Sequence, residues 1–124
     1  MARTILIVDD NPLIRRFLRT CIEDNTDWTI CGEAENGQIA IEKVTQLQPA
    51  VVILDWQMPV MNGLEAAKEI SRSAPAATLI MITMHESATL SEEAHAAGIT
   101  EVLSKTSHVA ECLIASLSRV PLAN

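Results

Sequence analysis

Aromatic side chains are almost absent from this chain. Phe17, Trp28 and Trp56 are the only ones, and there is no tyrosine. The core of the fold must therefore be built from aliphatic residues. Flat platforms on which the bases of a single-stranded nucleic acid could stack are scarce.

Cysteine is also sparse, with three residues at Cys21, Cys31 and Cys112. An odd number without a Cys-x-x-Cys pair does not indicate a disulfide framework or a zinc site. Each cysteine has apolar neighbours in the sequence, so we expect buried, reduced thiols, as in a cytoplasmic protein.

Positive charge is in short supply. Sixteen acidic residues against nine basic ones give a net charge of -7, which disfavours direct binding to nucleic acids or anionic membranes. No basic segment precedes a long apolar stretch, and the longest apolar runs, such as residues 50–54, have the length of a strand. We therefore expect a cytoplasmic location with neither a targeting signal nor a membrane anchor.

What the sequence does have is a regular alternation of short apolar runs and helical patterns. A length of 124 residues with 48% hydrophobic and 20% charged residues is typical of one soluble domain. We expect a single domain over residues 1–124, with its core at about 3–119 and a short C-terminal tail. Continuous apolar runs predict buried strands at residues 5–8, 28–34, 51–54, 78–83 and 100–103.

Five helices are predicted between and after these strands. The first begins with Pro12 and continues to about residue 24, because Leu13, Phe17 and Cys21 recur at helical spacing. The others are predicted at residues 37–48, 64–74, 87–97 (closed by a glycine) and 109–117. This alternation indicates an α/β fold in which helices cover both faces of a parallel sheet.

Five polar residues follow or end four of the predicted strands. Asp9 and Asp10 come after the first strand, Asp55 after the third, Thr83 ends the fourth, and Lys105 lies beyond the fifth. Each alone would be explained as a helix cap, a turn residue or a surface charge. In a doubly wound sheet, however, the carboxyl ends of the strands form the ligand site, so we expect all five residues to converge there.

The chemistry of this set indicates a divalent cation. Two carboxylates about 4 Å apart repel each other by about 4 kcal/mol at an effective dielectric constant of 20, so three together need a cation to stay ionised. Carboxylate oxygens suit Mg2+ or Mn2+, whereas the thiols and imidazoles that zinc prefers are missing from this edge. One carboxylate could then attack a phosphoryl group while the lysine and the threonine neutralise its oxygens.

Four segments resemble the receiver domains of bacterial two-component response regulators. They are ILIVDDN at residues 5–11, LDWQMPVMNG at 54–63, TMH at 83–85 and LSK at 103–105. The resemblance extends from residue 3 to about 119. It implies a flavodoxin-like fold, with a five-stranded parallel sheet of order 2-1-3-4-5 and five helices on both faces. It also implies a phosphoacceptor switch rather than an enzyme, one that catalyses only its own phosphotransfer and dephosphorylation.

The resemblance implies specific roles for the residues of this edge. Asp55 would be the phosphoacceptor, and Asp9, Asp10, Asp55 and the main-chain carbonyl of Gln57 would bind Mg2+. The donor would be a sensor histidine kinase or phosphotransfer protein, or a small acyl phosphate. Phosphorylation would alter protein contacts, including those of a homodimer, on the face formed by the fourth helix, fifth strand and fifth helix.

Thr83 and Lys105 would bind the phosphoryl group after its transfer. Val102 occupies the switch position three residues before the lysine, where the family usually carries Tyr or Phe, so an aromatic switch is not expected. Met84 and His85 would lie at the rim, where His85 could modulate the access of water to the acyl phosphate.

Three other functions compete with this interpretation. The TMH segment, and a threonine in place of the proline that often follows the lysine, are similar to NarL-type transcription regulators, so the chain could be the receiver part of a DNA-binding regulator. A phosphatase with an aspartate nucleophile is disfavoured, because Gln57 stands where such an enzyme carries its general acid. A flavin-binding protein is disfavoured because Asp9 and Asp10 would repel the flavin phosphate.

Overall fold

The computed structural model describes residues 3–106 and 108–121. Strands and helices alternate strictly along the chain, as the sequence predicted. Their bounds are β1 Thr4–Val8, α1 Pro12–Asn25, β2 Thr29–Ala34, α2 Gly37–Leu47, β3 Val51–Asp55, α3 Gly63–Ser73, β4 Thr78–Thr83, α4 Ala88–Ala96, β5 Ile99–Ser104 and α5 Val109–Ser118. The fourth strand agrees with its prediction residue for residue, and the third extends one residue further, to Asp55.

The strands form one parallel sheet in the order β2-β1-β3-β4-β5. This order confirms the doubly wound, flavodoxin-like fold that the resemblance implied. In the central strand β3 every residue is buried. Burial on both faces explains why the central strands appear in the sequence as continuous apolar runs rather than as alternating patterns.

The core consists of two aliphatic layers, one on each face of the sheet. Alternate residues of β1 point to opposite faces, so that Leu6 belongs to the layer formed with α2, α3 and α4 while Ile7 belongs to the layer formed with α1 and α5. The three-helix layer contains Val44, Ile70 and Leu90.

The buried face of helix α1 is not the face whose apolar spacing predicted the helix. Its buried residues are Leu18 and Ile22, whereas Leu13 and Phe17 are 68% and 46% exposed. Two apolar stripes at helical spacing run along this helix. The sequence therefore predicted the helix correctly, but the spacing of Leu13 and Phe17 did not identify the side that packs against the sheet.

The prediction of buried thiols is wrong for Cys112, which is exposed, and Cys21 and Cys31 are only half-buried. On α5 the buried residues include Val109, Leu113 and Leu117. Cys112 lies to the side of this face, so its apolar neighbours in the sequence did not bury it. Partial burial raises the pKa of the Cys21 and Cys31 thiols, which favours the protonated form.

Short polar side chains cap the N-termini of most of the helices. Asn11, Asn36, Asn62 and Ser87 each accept a hydrogen bond from a backbone N–H of the first turn of α1, α2, α3 and α4 respectively. Gly98, with φ at +100°, follows α4 as predicted. No helix within residues 3–106 and 108–121 is both long and apolar enough to cross a membrane.

Candidate functional site

The polar residues predicted from the strand ends do meet at the carboxyl edge of the sheet. Asp55 and Thr83 are the last residues of β3 and β4, and Asp9 and Lys105 directly follow β1 and β5. Four polar or charged side chains are buried in the described part of the chain, and Asp9, Asp55 and Thr83 are three of them. Because burial of polar groups costs free energy unless they have partners, their concentration at one edge indicates a site.

Three carboxylates and one ammonium group form what we call the acid cluster: Asp9, Asp10, Asp55 and Lys105. The three aspartates each offer an oxygen within 4.8 Å of the others. Nζ of Lys105 lies 2.8 Å from Oδ2 of Asp9 and 3.2 Å from Oδ1 of Asp55. When all four groups are ionised, the acid cluster has an excess of two negative charges, which is the charge that a divalent cation balances.

The pKa values of Asp55 and Lys105 are both raised, but for different reasons. Burial, reinforced by the negative charge of Asp9, raises the pKa of Asp55 from 3.8 to about 6, although Lys105 acts in the opposite direction. Burial alone would lower the pKa of Lys105, but its hydrogen bond to Asp9 and the two negative charges beside it outweigh burial and raise that pKa. Lys105 therefore stays charged at neutral pH.

Every backbone and side-chain polar group of Asp9 has a partner. Its N–H donates to the carbonyl oxygen of Ala34 over 3.0 Å, and its Oδ1 accepts from the N–H of Asn11 over 2.9 Å. Its carbonyl oxygen accepts from Nη1 of Arg15 over 2.6 Å, and its Oδ2 accepts from Lys105. Sequence reasoning missed Arg15, because an arginine in the first turns of a helix resembles an ordinary surface charge.

A glycine allows the backbone of Asp55 to lie close to the start of α3. A Cβ atom built on Gly63 would come within 2.3 Å of the carbonyl oxygen of Asp55, a distance that no real contact tolerates. The N–H of Gly63 donates to the carbonyl oxygen of Trp56 over 2.7 Å, and the N–H of Trp56 donates to the carbonyl oxygen of Ile82 over 3.3 Å. Gln57 follows in this loop with an exposed side chain.

The loop after Asp55 contains a strained residue. Val60 has φ at +70° and is 81% exposed, and the N–H of Met61 donates to the carbonyl oxygen of Pro59 over 2.7 Å. A β-branched residue rarely adopts a positive φ. Strain of this kind is concentrated at functional sites, which agrees with the position of the loop beside Asp55.

Thr83 and Lys105 are joined through their backbones, since the N–H of Lys105 donates to the carbonyl oxygen of Thr83 over 2.8 Å. The hydroxyl of Thr83 accepts from the N–H of His85 over 3.0 Å. Met84 and His85 are exposed beyond the strand end, at the rim. Val102 instead lies within β5 opposite Met81 and packs against the aliphatic core.

Comparison with known proteins agrees with this geometry. A family model described as "response regulator receiver domain" matches residues 5–116. A protein-glutamate methylesterase/protein-glutamine glutaminase of Idiomarina loihiensis is 40% identical over 106 residues, which are 85% of this chain and 28% of that protein. The transcriptional regulatory protein YdfI of Bacillus subtilis is 42% identical over 82 residues, or 66% of this chain and 38% of that protein. The chain thus spans well under half the length of either relative.

Solved structures show the same architecture. The response regulator domain of Thermotoga maritima CheB aligns with a TM-score of 0.89 and 28% identity, covering 97% of this chain and 96% of that one. The chemotaxis protein CheY4 of Vibrio cholerae aligns with a TM-score of 0.87 and 28% identity, covering 98% and 100%. The receiver domain of a NarL protein from Mycobacterium tuberculosis has a TM-score of 0.85 at 22% identity, covering 95% and 98%, so its likeness concerns the fold.

Proposed function

Because this chain belongs to the family of response regulator receiver domains, the modules of two-component signal transduction, we propose that it accepts a phosphoryl group on Asp55. The observation that carries this proposal is the position of Asp55. It ends the central strand β3, is 7% exposed, and lies 3.2 Å from the ammonium group of Lys105 and beside two further carboxylates.

The residues of the site can divide the work of the transfer. An Oδ atom of Asp55 forms the new bond to phosphorus while the bond to the nitrogen of a phosphohistidine, or to the oxygen of an acyl phosphate, breaks. Lys105 neutralises negative charge on the phosphoryl oxygens. The hydroxyl of Thr83 accepts from the backbone N–H of His85, so its own hydrogen remains available for donation to a phosphoryl oxygen.

The acid cluster fits Mg2+ or Mn2+. Its donors are carboxylate oxygens from Asp9, Asp10 and Asp55, and we propose the main-chain carbonyl of Gln57 as a further ligand. Hard oxygen donors with an excess of two negative charges suit these ions. When bound, such a cation would neutralise the carboxylates and the incoming phosphoryl oxygens together.

We propose that the domain works as a switch that catalyses only its own phosphorylation and dephosphorylation. The donor would be a sensor histidine kinase or phosphotransfer protein in the cytoplasm. Added charge at Asp55 would shift the population of surface conformations on the face formed by α4, β5 and α5. That face would then bind a partner or a second copy of the chain.

We also propose that residues 1–124 act as one receiver domain, with its core at about 3–119. A transcriptional regulatory protein is among its relatives, which supports a second candidate, in which this receiver forms part of a longer DNA-binding regulator. With a net charge of -7, the chain itself would not be the part that binds DNA.

Labelling tests the phosphoacceptor. Incubation with Mg2+ and acetyl phosphate should add one phosphoryl mass to the intact protein, as measured by mass spectrometry. Asp55→Asn should remove the label, whereas Asp27→Asn, which changes an exposed aspartate, should keep it. Labelling of Asp55→Asn at the wild-type level would reject Asp55.

Fluorescence tests the cation site. The half-buried Trp56 directly follows Asp55, so titration with Mg2+ should change its emission. Asp10→Asn should weaken this response strongly. Equal responses in the two proteins would place the cation elsewhere.

A further inference from the structure

We propose that Arg15 is a positioning residue, one that holds the peptide between Asp9 and Asp10 so that both carboxylates face the cation site. The inference rests on the proposed function, because it assigns Arg15 a role in the cation site formed by these acids. Arg15 itself is outside the acid cluster.

The contact that carries the inference is the hydrogen bond from Nη1 of Arg15 to the carbonyl oxygen of Asp9, 2.6 Å long. This carbonyl belongs to the peptide that joins Asp9 to Asp10. A peptide group is planar, so a donor that fixes its oxygen also fixes the direction in which the chain leaves Asp9. The side chain of Asp10 is exposed, and its carboxylate has no hydrogen bond to hold it among the described residues.

Arg15 is itself held in place from a second direction. Its Nε donates to Oε1 of Glu33 over 2.9 Å, and its side chain is only 17% exposed. Glu33 lies on the edge strand β2 and also binds Arg19 over 2.8 Å. We call Arg15, Arg19 and Glu33 the arginine cluster. Partial burial would raise the pKa of Glu33, but hydrogen bonds from Arg19 and Arg15 outweigh it and lower that pKa.

The two contacts of Arg15 use the fork geometry of the guanidinium group. Nε donates to the Glu33 carboxylate while the terminal nitrogen Nη1 donates to the Asp9 carbonyl oxygen. A lysine in the same position has a single ammonium group and lacks this rigid fork. Arg15 thus connects the edge strand to the peptide that presents the two acids.

Arg19 provides a matched control. It binds the same Glu33 carboxylate and carries the same charge, but its hydrogen bonds do not include Asp9. Arg15→Gln and Arg19→Gln therefore remove the same charge and one partner of the same acid. Arg15→Gln alone removes the contact to the Asp9 carbonyl, and Arg19→Gln alone removes an exposed 3.8 Å ion pair with Glu23.

Two measurements on the full chain test the inference. The first is the carbonyl 13C chemical shift of Asp9 in a metal-free sample, which should move in Arg15→Gln and stay near the wild-type value in Arg19→Gln. The second is the Kd for Mg2+ from Trp56 emission. It should rise about tenfold in Arg15→Gln and less than about twofold in Arg19→Gln, since residues that orient metal ligands typically affect affinity by such factors.

The unfolding midpoint of each variant separates positioning from lost stability. If Arg15→Gln does not fold, Arg15→Lys and Arg19→Lys replace the pair, and only Arg15→Lys should weaken Mg2+ binding. Equal Kd values for the matched variants, with a normal wild-type response to Mg2+, would overturn the inference and leave the proposed function intact. A wild-type protein that does not respond to Mg2+ would overturn both.

Discussion

The acid cluster and the arginine cluster are neighbours with opposite charge balances. In the acid cluster, three carboxylates share one ammonium group, whereas in the arginine cluster two guanidinium groups share one carboxylate. The pKa of Asp55 is accordingly raised to about 6, and the pKa of Glu33 is lowered. Asp9 connects the two clusters. Its side chain belongs to the acid cluster, and its carbonyl oxygen accepts a hydrogen bond from Arg15 of the arginine cluster.

This difference separates a structural ion network from the candidate functional site. In the arginine cluster every carboxylate oxygen has a cationic partner, so ionisation of Glu33 stabilises the fold. In the acid cluster, ionisation of Asp55 works against the fold, since burial and like charge both oppose it. If the site binds a cation and a phosphoryl group as proposed, it would retain this cost, as is common where stability and activity compete.

The largest expected effect comes from neutralising Asp55. In the absence of divalent cations, Asp55→Asn should increase the free energy of unfolding at pH 7.5 by about 2–3 kcal/mol, because each unit of pKa shift corresponds to about 1.4 kcal/mol. Urea denaturation in EDTA measures this change. Asp27→Asn should change stability by less than about 0.5 kcal/mol. A stability of Asp55→Asn at or below that of the wild type would contradict the unbalanced charge of the acid cluster.

The dependence of stability on pH should show the same cost. The folded-state pKa of Asp55, about 6, lies above the ordinary value of 3.8, so between these values the folded state binds more protons than the unfolded state. Stability should therefore fall as pH rises from about 4 to about 6, by up to about 1.4 kcal/mol per pH unit from this group. The difference in unfolding free energy between Asp55→Asn and the wild type should grow across this window and stay constant above it. A difference that does not vary with pH would refute the raised pKa.

A smaller effect of opposite sign is expected in the arginine cluster. Glu33→Gln should lower the free energy of unfolding by about 1 kcal/mol, a value that allows for solvent screening because the Glu33 side chain is 30% exposed. Glu69→Gln is the control, since Glu69 pairs with Arg72 at an exposed position and its loss should be close to neutral. If Glu33→Gln were as neutral as the control, the arginine cluster would not stabilise the fold.

Salt should produce the smallest effect. Raising NaCl from about 0.05 to 0.5 M shortens the range of charge interactions in solvent to a few ångströms. The loss of stability in Glu33→Gln should then shrink by a few tenths of a kcal/mol. The gain in Asp55→Asn should change less, because Asp55 is only 7% exposed. Equal salt sensitivity of the two differences would show that the clusters are equally open to solvent.

Much of the fold could be predicted because buried parallel strands leave a simple pattern. β4 was found residue for residue, since its apolar run is bounded by threonines and covered on both faces. The buried side of α1 was harder to identify, because the stripes containing Leu13 and Leu18 both have helical spacing. Only packing against the sheet distinguishes them, and the exposure of Cys112 has the same kind of cause.

The site divides in a similar way between predictable and unpredictable parts. Parallel strands bring their carboxyl ends to one edge, so Asp9, Asp55 and Lys105 could be placed together from chain order alone. Arg15 could not be placed, because its partner Glu33 lies eighteen residues away on an edge strand, and no periodicity relates a helix charge to a strand charge. Contacts of that kind depend on how far α1 is rotated about its axis.

The position of Lys105 affects how the domain assembles. Its ammonium group lies between Asp9 and Asp55, so the polypeptide brings its own counterion to its two most buried acids. We therefore expect that folding does not require an ion from solution, in contrast to small zinc domains, which remain unfolded without metal. The domain should accordingly remain folded when divalent ions are scarce.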